Sequence, residues 1–290
     1  MGDAPSVTLP GVVDRHVHLG LVDVASLADG PVVEVHDLGW DPRAVRALAA
    51  APPSGLRVRY AGPFHTAPGG YPSGRAWAPE AAVRHVAAPE EAAAAVADVV
   101  AAGGFGVKVT LHAGMPLLPD DVLHALVDAA HAARLPVLVH AEGTGQAERA
   151  VDAGADTLVH VPWTEVLPDG LIARAAARTT WISTLAIHDG DALGVALDNA
   201  RRFVAAGGTL EYGTDLGNGP TPPGVHEREI ELLGEAGLSG AALRRAVLGP
   251  PSAPRLTSPL PLPDTAPDLT AWLRTSRPAL PPRRGSHLAR

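Results

Sequence analysis

The sequence predicts an α/β chain folded as a (β/α)8 TIM barrel. Short runs rich in β-branched residues alternate with alanine-rich amphipathic stretches, and the strand-like runs number eight. No Gly-x-Gly-x-x-Gly stands between a strand and a helix, which removes the usual argument for an open dinucleotide-binding sheet.

The strands are expected at residues 11–19, 32–38, 57–64, 106–111, 136–140, 157–161, 181–187 and 209–213. The clearest helices between them are expected at 79–102, 119–134, 144–153, 165–178 and 191–206. Two more follow at 223–236 and 239–248. Asp120 and Asp191 sit near helix starts, where a carboxylate complements the dipole. Gly103-Gly104 and Gly207-Gly208 follow helices, as C-terminal caps do. Residues 1–250 are thus expected to form the barrel. Residues 250–290 hold ten prolines and little periodicity. Residues 251–290 are expected to be a Pro-rich C-terminal arm, partly disordered, with residues 268–273 its one ordered piece.

Composition narrows the function classes. The formal charge is −8 and no basic cluster stands out, so nucleic acid is not expected as a partner. There is no cysteine, so any metal must be held by nitrogen and oxygen. The first ten residues lack the basic and apolar segments of a signal peptide. No apolar run reaches the roughly 18 residues of a membrane span. No membrane partner is expected, and a cytoplasmic location is the default. The basic residues are 22 arginines and a single lysine, Lys108. Arginine has taken the generic cation roles. A lysine amine can lose its proton and react, which a guanidinium cannot.

Barrel enzymes work at the C-terminal ends of their strands. Strand one reads Val12-Val13-Asp14-Arg15-His16-Val17-His18. Alternation puts His16 and His18 on one face, where both imidazoles can meet one metal. Strand four buries Lys108 between Val107 and Val109. Burial disfavours the charged ammonium, and a neutral amine can take up carbon dioxide as a carbamate able to bridge two cations. Strands five and six end their apolar runs at His140 and His160, and strand eight opens into its loop at Asp215. Each alone reads as a structural histidine or a turn aspartate. Together they fall at one level of adjacent strands, which points to a metal site.

These residues resemble the amidohydrolase superfamily, and within it the imidazolonepropionase-like and prolidase-like branch with a carboxylated lysine. Residues 10–19 look like its opening strand motif, and Lys108, His140, His160 and Asp215 match its remaining ligand positions in order. Gly154-Ala155-Asp156 before His160, and residues 208–213 before Asp215, fit that branch. The resemblance covers roughly residues 9–250. It implies two divalent metal ions, zinc first, with manganese, cobalt or iron as alternatives. His16, His18 and Asp215 would hold one, His140 and His160 the other, and a CO2-derived carbamate on Lys108 would bridge them, as would a hydroxide. That hydroxide would attack an amide, cyclic amide or peptide-like C–N bond of a small-molecule substrate, with Asp215 as general base and then acid. The alternatives are a lactone or phosphoester hydrolase on the same site, and a non-catalytic binding protein that kept the fold. The small β-sandwich of most members is expected to be lost or reduced, since about ten residues precede strand one. This leaves the oligomeric state open. Substrate contacts are expected from His188, Arg75, Tyr60, His65 and Asn218, which follow strands seven, three and eight. His36 after strand two, His112 and Trp163 are similar cases.

Overall fold

The structure is a computed structural model that describes residues 6–28, 30–53 and 55–279. The arginine-rich end of the expected C-terminal arm, residues 283–290, lies outside the described residues. Thirteen strands and nine α-helices order the described chain. The first strands are β1 (Val7–Pro10), β2 (Val12–Val17), β3 (Val32–Asp37), β4 (Arg57–Tyr60), β5 (Phe64–Thr66) and β6 (Val83–His85). They are followed by β7 (Val107–His112), β8 (Val137–Glu142), β9 (Thr157–Leu158), β10 (Thr180–Ile182) and β11 (Thr209–Glu211). The helices are α1 (Pro42–Ala50), α2 (Ala92–Ala102), α3 (Asp120–Ala132), α4 (Gln146–Ala153), α5 (Asp169–Arg178), α6 (Gly190–Ala205), α7 (Glu227–Glu235) and α8 (Gly240–Val247). The chain continues through β12 (Arg255–Ser258), α9 (Ala266–Thr275) and β13 (Arg277–Pro278).

Local chemistry explains where these elements begin and end. The Asp41 carboxylate accepts the Arg43 N–H (2.9 Å) and Pro42 opens α1, its missing N–H costing nothing there. Gly103, at φ +83°, ends α2 in the left-handed conformation that a side chain resists. The expected helix over 79–102 is corrected. Only residues from Ala92 are α-helical, and Val83–His85 form β6 beside β5, because Pro89 blocks helix continuation from upstream.

The parallel strands do not form one closed ladder. A seven-stranded sheet runs β11-β10-β9-β8-β7-β5-β6, and a three-stranded one runs β2-β3-β4. The expected third strand breaks at Ala61-Gly62-Pro63, where proline removes a ladder donor. Its first part, β4, pairs with β3; its second, β5, pairs with β7. The Phe105 N–H still reaches Tyr60 O (2.9 Å) across that seam. At the other seam Val17 bridges to Leu216, with the His18 N–H on Leu216 O (2.7 Å) and the Arg15 N–H on Tyr212 O (3.2 Å). The architecture is a TIM-barrel-like α/β fold. The expected strand at 181–187 is likewise shorter: it ends at Ile182, and Leu185–Ile187 form a 3-10 turn.

Register places the site. Lys108 pairs with Leu138 and Thr110 with His140. These four side chains share the inward face, while Val107, Val109, Val137 and Val139 face the helices, all buried. Leu38, Ala61, Leu138, Val159 and Ile182 form an inner apolar layer. The main core lies between strands and helices, with Trp181 stacked flat on Phe203 at 3.8 Å. After residue 250 more is ordered than one short piece. β12 pairs antiparallel with β1 and β13, and α9 begins with a capping box between Thr265 and Asp268. Among the described residues no helix is long and apolar enough to cross a membrane.

Candidate metal centre

The end of β2 delivers His16 and His18, both buried. His16 Nδ1 donates to Val159 O (2.8 Å) and His18 Nδ1 to Gly39 O (3.1 Å). Each bond fixes the ring and leaves the Nε2 lone pair to face inward. Asp215 meets both: its Oδ1 lies 3.3 Å from His16 Nε2 and 3.2 Å from His18 Nε2. Asp215 sits at φ +55°, a left-handed conformation that a side chain adopts at a cost. The surroundings hold it there. Asp14 accepts N–H bonds from His16 (3.1 Å) and Thr214 (3.1 Å) and the Thr214 hydroxyl, tying β2 to the Asp215 loop. A Cβ on Gly213 would stand 2.3 Å from Ile182 Cγ2 and 3.1 Å from His16 Cβ, so only glycine lets this loop approach. Asn218 donates to Asp215 Oδ2 (2.9 Å).

His140 and His160 complete the cluster from β8 and the segment after β9. Ring centroids are 4.7 Å apart for His16 and His160, and 5.0 Å for His140 and His160. His160 Nδ1 is bonded to Thr184 Oγ1 (2.7 Å). Thr184 is itself left-handed, at φ +42°, unusual for a β-branched residue. The buried Glu229 carboxylate on α7 accepts the N–H groups of Leu185 (2.9 Å) and Ala186 (2.6 Å), which fixes the turn carrying Thr184. His140 Nε2 meets Glu142 Oε2 at 3.1 Å, and His112 Nδ1 lies 3.0 Å from the same oxygen.

Burial dominates the electrostatics. It draws His16, His140 and His160 below the usual imidazole range, which keeps them neutral and able to donate a lone pair. It draws Lys108 down to about 7, against the attraction of Asp215 and Asp37. Burial pushes the Asp215 carboxyl up, while the Asn218 amide, donating to Oδ2, favours its charged form. Lys108 is 1% exposed, its Nζ 5.9 Å from the Phe64 ring.

Phe64, Tyr71, Lys108, Thr110 and Asn218 line the same pocket as the four histidines and Asp215. Tyr71 stacks on His140 (5.2 Å, 22°) and Trp77 stands edge-on to Tyr71 (6.1 Å). Trp163 stacks on His188 (4.8 Å), whose ring burial lowers to about 4.

Of the expected substrate residues, Asn218 lines the pocket and His188 borders it through Trp163. Arg75 is exposed beside the Tyr71 ring (5.8 Å). Tyr60 and His65 are corrected: neither lines this pocket. Tyr60 packs with Trp40 and Val45, outside the barrel, and donates to Ala102 O. His65 alternates with inward Phe64, so its ring faces the helices and bonds Lys108 O (3.0 Å). His36 lies at the opposite end, bonded to Glu34 (2.9 Å). Phe64, Trp77, Glu142, Thr184 and Glu229 were missed. Only Glu142, two residues beyond His140 on one strand face, had a local signal.

No protein-family model and no curated protein matches the chain. Solved structures do. One is a Xaa-Pro dipeptidase with bound methionine in the active site, at TM-score 0.71 and 18% identity, covering 93% of this chain and 84% of that one. Another is an amidohydrolase, at TM-score 0.72 and 19% identity, covering 90% and 82%. A third is A. niger ochratoxinase, at TM-score 0.68 and 15% identity, covering 93% and 81%. The chain has the fold of amidohydrolase- and prolidase-type structures.

Proposed function

We propose that this chain is a metal-dependent member of the amidohydrolase superfamily that hydrolyses an amide, cyclic amide or peptide-like C–N bond. One observation carries the reading. His16 Nε2 and Asp215 Oδ1 are fully buried, 3.3 Å apart, and neither has a hydrogen-bond partner. Two such atoms facing each other, buried and unbonded, are costly unless a cation joins them. The donor set suits the group: neutral imidazoles and carboxylates are ligands for zinc and its first-row neighbours.

His16, His18 and Asp215 would hold one ion and His140 and His160 a second. Lys108, whose burial leaves a large neutral fraction near pH 7, would supply the carbamate between them. Bound there, the metals would acidify a water and polarise the scissile carbonyl. Asp215 would take the proton of the attacking water and hand it to the leaving nitrogen. Asn218 orients that carboxylate through its bond to Oδ2. Tyr71, stacked on His140 and braced by Trp77, gives the pocket an aromatic wall.

The test is turnover by zinc-loaded, bicarbonate-treated protein on N-acyl amino acids, dipeptides, lactones and phosphotriesters. Amide cleavage that a chelator abolishes and zinc restores is the expected result. Cleavage of lactones or phosphotriesters alone would overturn the C–N assignment, and no turnover of any class would overturn the enzyme reading.

A further inference from the structure

The inner face of a parallel barrel is ordinarily packed in layers of branched aliphatic side chains. Here the N-terminal end departs from that pattern. Below the layer of Leu38, Leu138 and Ile182 lies a cavity of about 400 Å³. Arg15, His36, Arg59, Phe105, Arg134 and Glu211 surround it. It shares no lining residue with the metal-site pocket, and Leu38, Leu138 and Ile182 of the inner apolar layer form its wall.

Its charges do not balance locally. Glu211 is matched by Arg15 (3.2 Å). Glu34, behind His36, is matched by Arg57 (3.0 Å) and His36 (2.9 Å). Among the described residues Arg59 and Arg134 have no carboxylate partner, in a chain whose formal charge is −8. Both residues are exposed. The Arg59 guanidinium lies 4.4 Å over the Phe105 ring. Arg134 takes φ +59° just after α3, a position where glycine is the unstrained choice.

We propose that this cavity binds a small organic anion, a carboxylate with an apolar body, between Arg59 and Arg134. Planar guanidinium forks match a carboxylate. Leu38, Leu138 and Ile182 give the body an apolar floor that an inorganic anion would leave unfilled. Leu138 is the register partner of Lys108, so a ligand here would press on the layer beneath the metal-site residues without entering their pocket. The proposal does not depend on the hydrolase reading.

Calorimetric titration of the full chain with sodium benzoate tests it, beside Arg59→Met, Arg134→Gly and His16→Ala. Arg134→Gly removes the cation and relieves the backbone strain, so it keeps the fold even if Arg59→Met does not. The expected result is saturable benzoate binding, weakened about tenfold or more by each arginine change, as loss of a charge-assisted bond implies. His16→Ala should leave it unchanged, and inorganic phosphate should bind more weakly. Absence of benzoate binding, loss of binding in His16→Ala with retention in both arginine variants, or phosphate binding as tight as benzoate would each overturn the proposal.

Discussion

The two halves of the candidate metal centre differ in what their donor atoms are doing. In the half made by His16, His18 and Asp215, both inward nitrogens lie within 3.3 Å of Asp215 Oδ1, and His16 Nε2 and Asp215 Oδ1 lack hydrogen-bond partners. In the half that contains His140, the inward nitrogen is already bonded to Glu142, which His112 also approaches. The first half is rigid: Val159 O, Gly39 O and Asp14 lock its rings and loop. The second has a partner to give up before His140 can serve a cation. Pre-organisation costs stability in the folded protein and returns it as affinity on binding. The first half should therefore fill first and more tightly.

In the proposed site Lys108 would join the halves, so it offers the largest break. Lys108→Arg keeps a positive charge but cannot form a carbamate. Turnover should fall about a thousandfold or more, the scale of losing a pre-organised electrostatic partner. Metal content should drop from two per chain to one, retained by His16, His18 and Asp215. Elemental analysis beside initial rates reads both, and full activity in the variant would remove the carbamate from the account.

Glu142→Gln sharpens the difference between the halves. It removes the charge that holds His140 and should weaken the second ion some ten- to a hundredfold while sparing the first, as outer-shell changes do. Stepwise zinc titration would show this; equal weakening of both steps would mean that the halves are not distinct. Thr184→Val acts more mildly, since His160 loses one bond on Nδ1 and keeps its packing. About a tenfold loss at the second step is expected.

The smallest effect concerns support rather than ligation. Burial raises Glu229 from 4.5 to about 7, so the folded chain holds its proton more tightly than the unfolded chain. Its contribution to stability is then full below about pH 4.5 and falls as pH rises toward 7, with no further change above. Glu229→Gln cannot titrate. Chemical denaturation across pH 4.5–7 should show a flatter stability profile for the variant, by on the order of 1–3 kcal/mol. An unchanged slope would show that Glu229 is not the group responsible.

The site was more legible in the sequence than the fold's details, and alternation explains why. His16 and His18, or Lys108 between two valines, carry their geometry in two or three residues, because a strand faces each way in turn. Tyr60 and His65 were misplaced because loop positions after strand three were expected for them, whereas they lie within β4 and β5 on either side of Pro63. Residues 79–91 looked helical by composition, yet Val83–His85 pair with β5, a tertiary choice that overrides propensity. Thr184 and Glu229 were out of reach: their roles depend on bonds spanning 24 and 44 residues. The β1–β12 pairing joins residues about 250 apart, which no local pattern encodes.

Metal content per chain tests the central claim most directly, measured by elemental mass spectrometry on protein purified without chelator and with bicarbonate present. The account predicts close to two first-row ions, falling to one in Lys108→Arg. A chain that holds none, even after zinc is added, would contradict it, and His16, His18 and Asp215 would need another explanation.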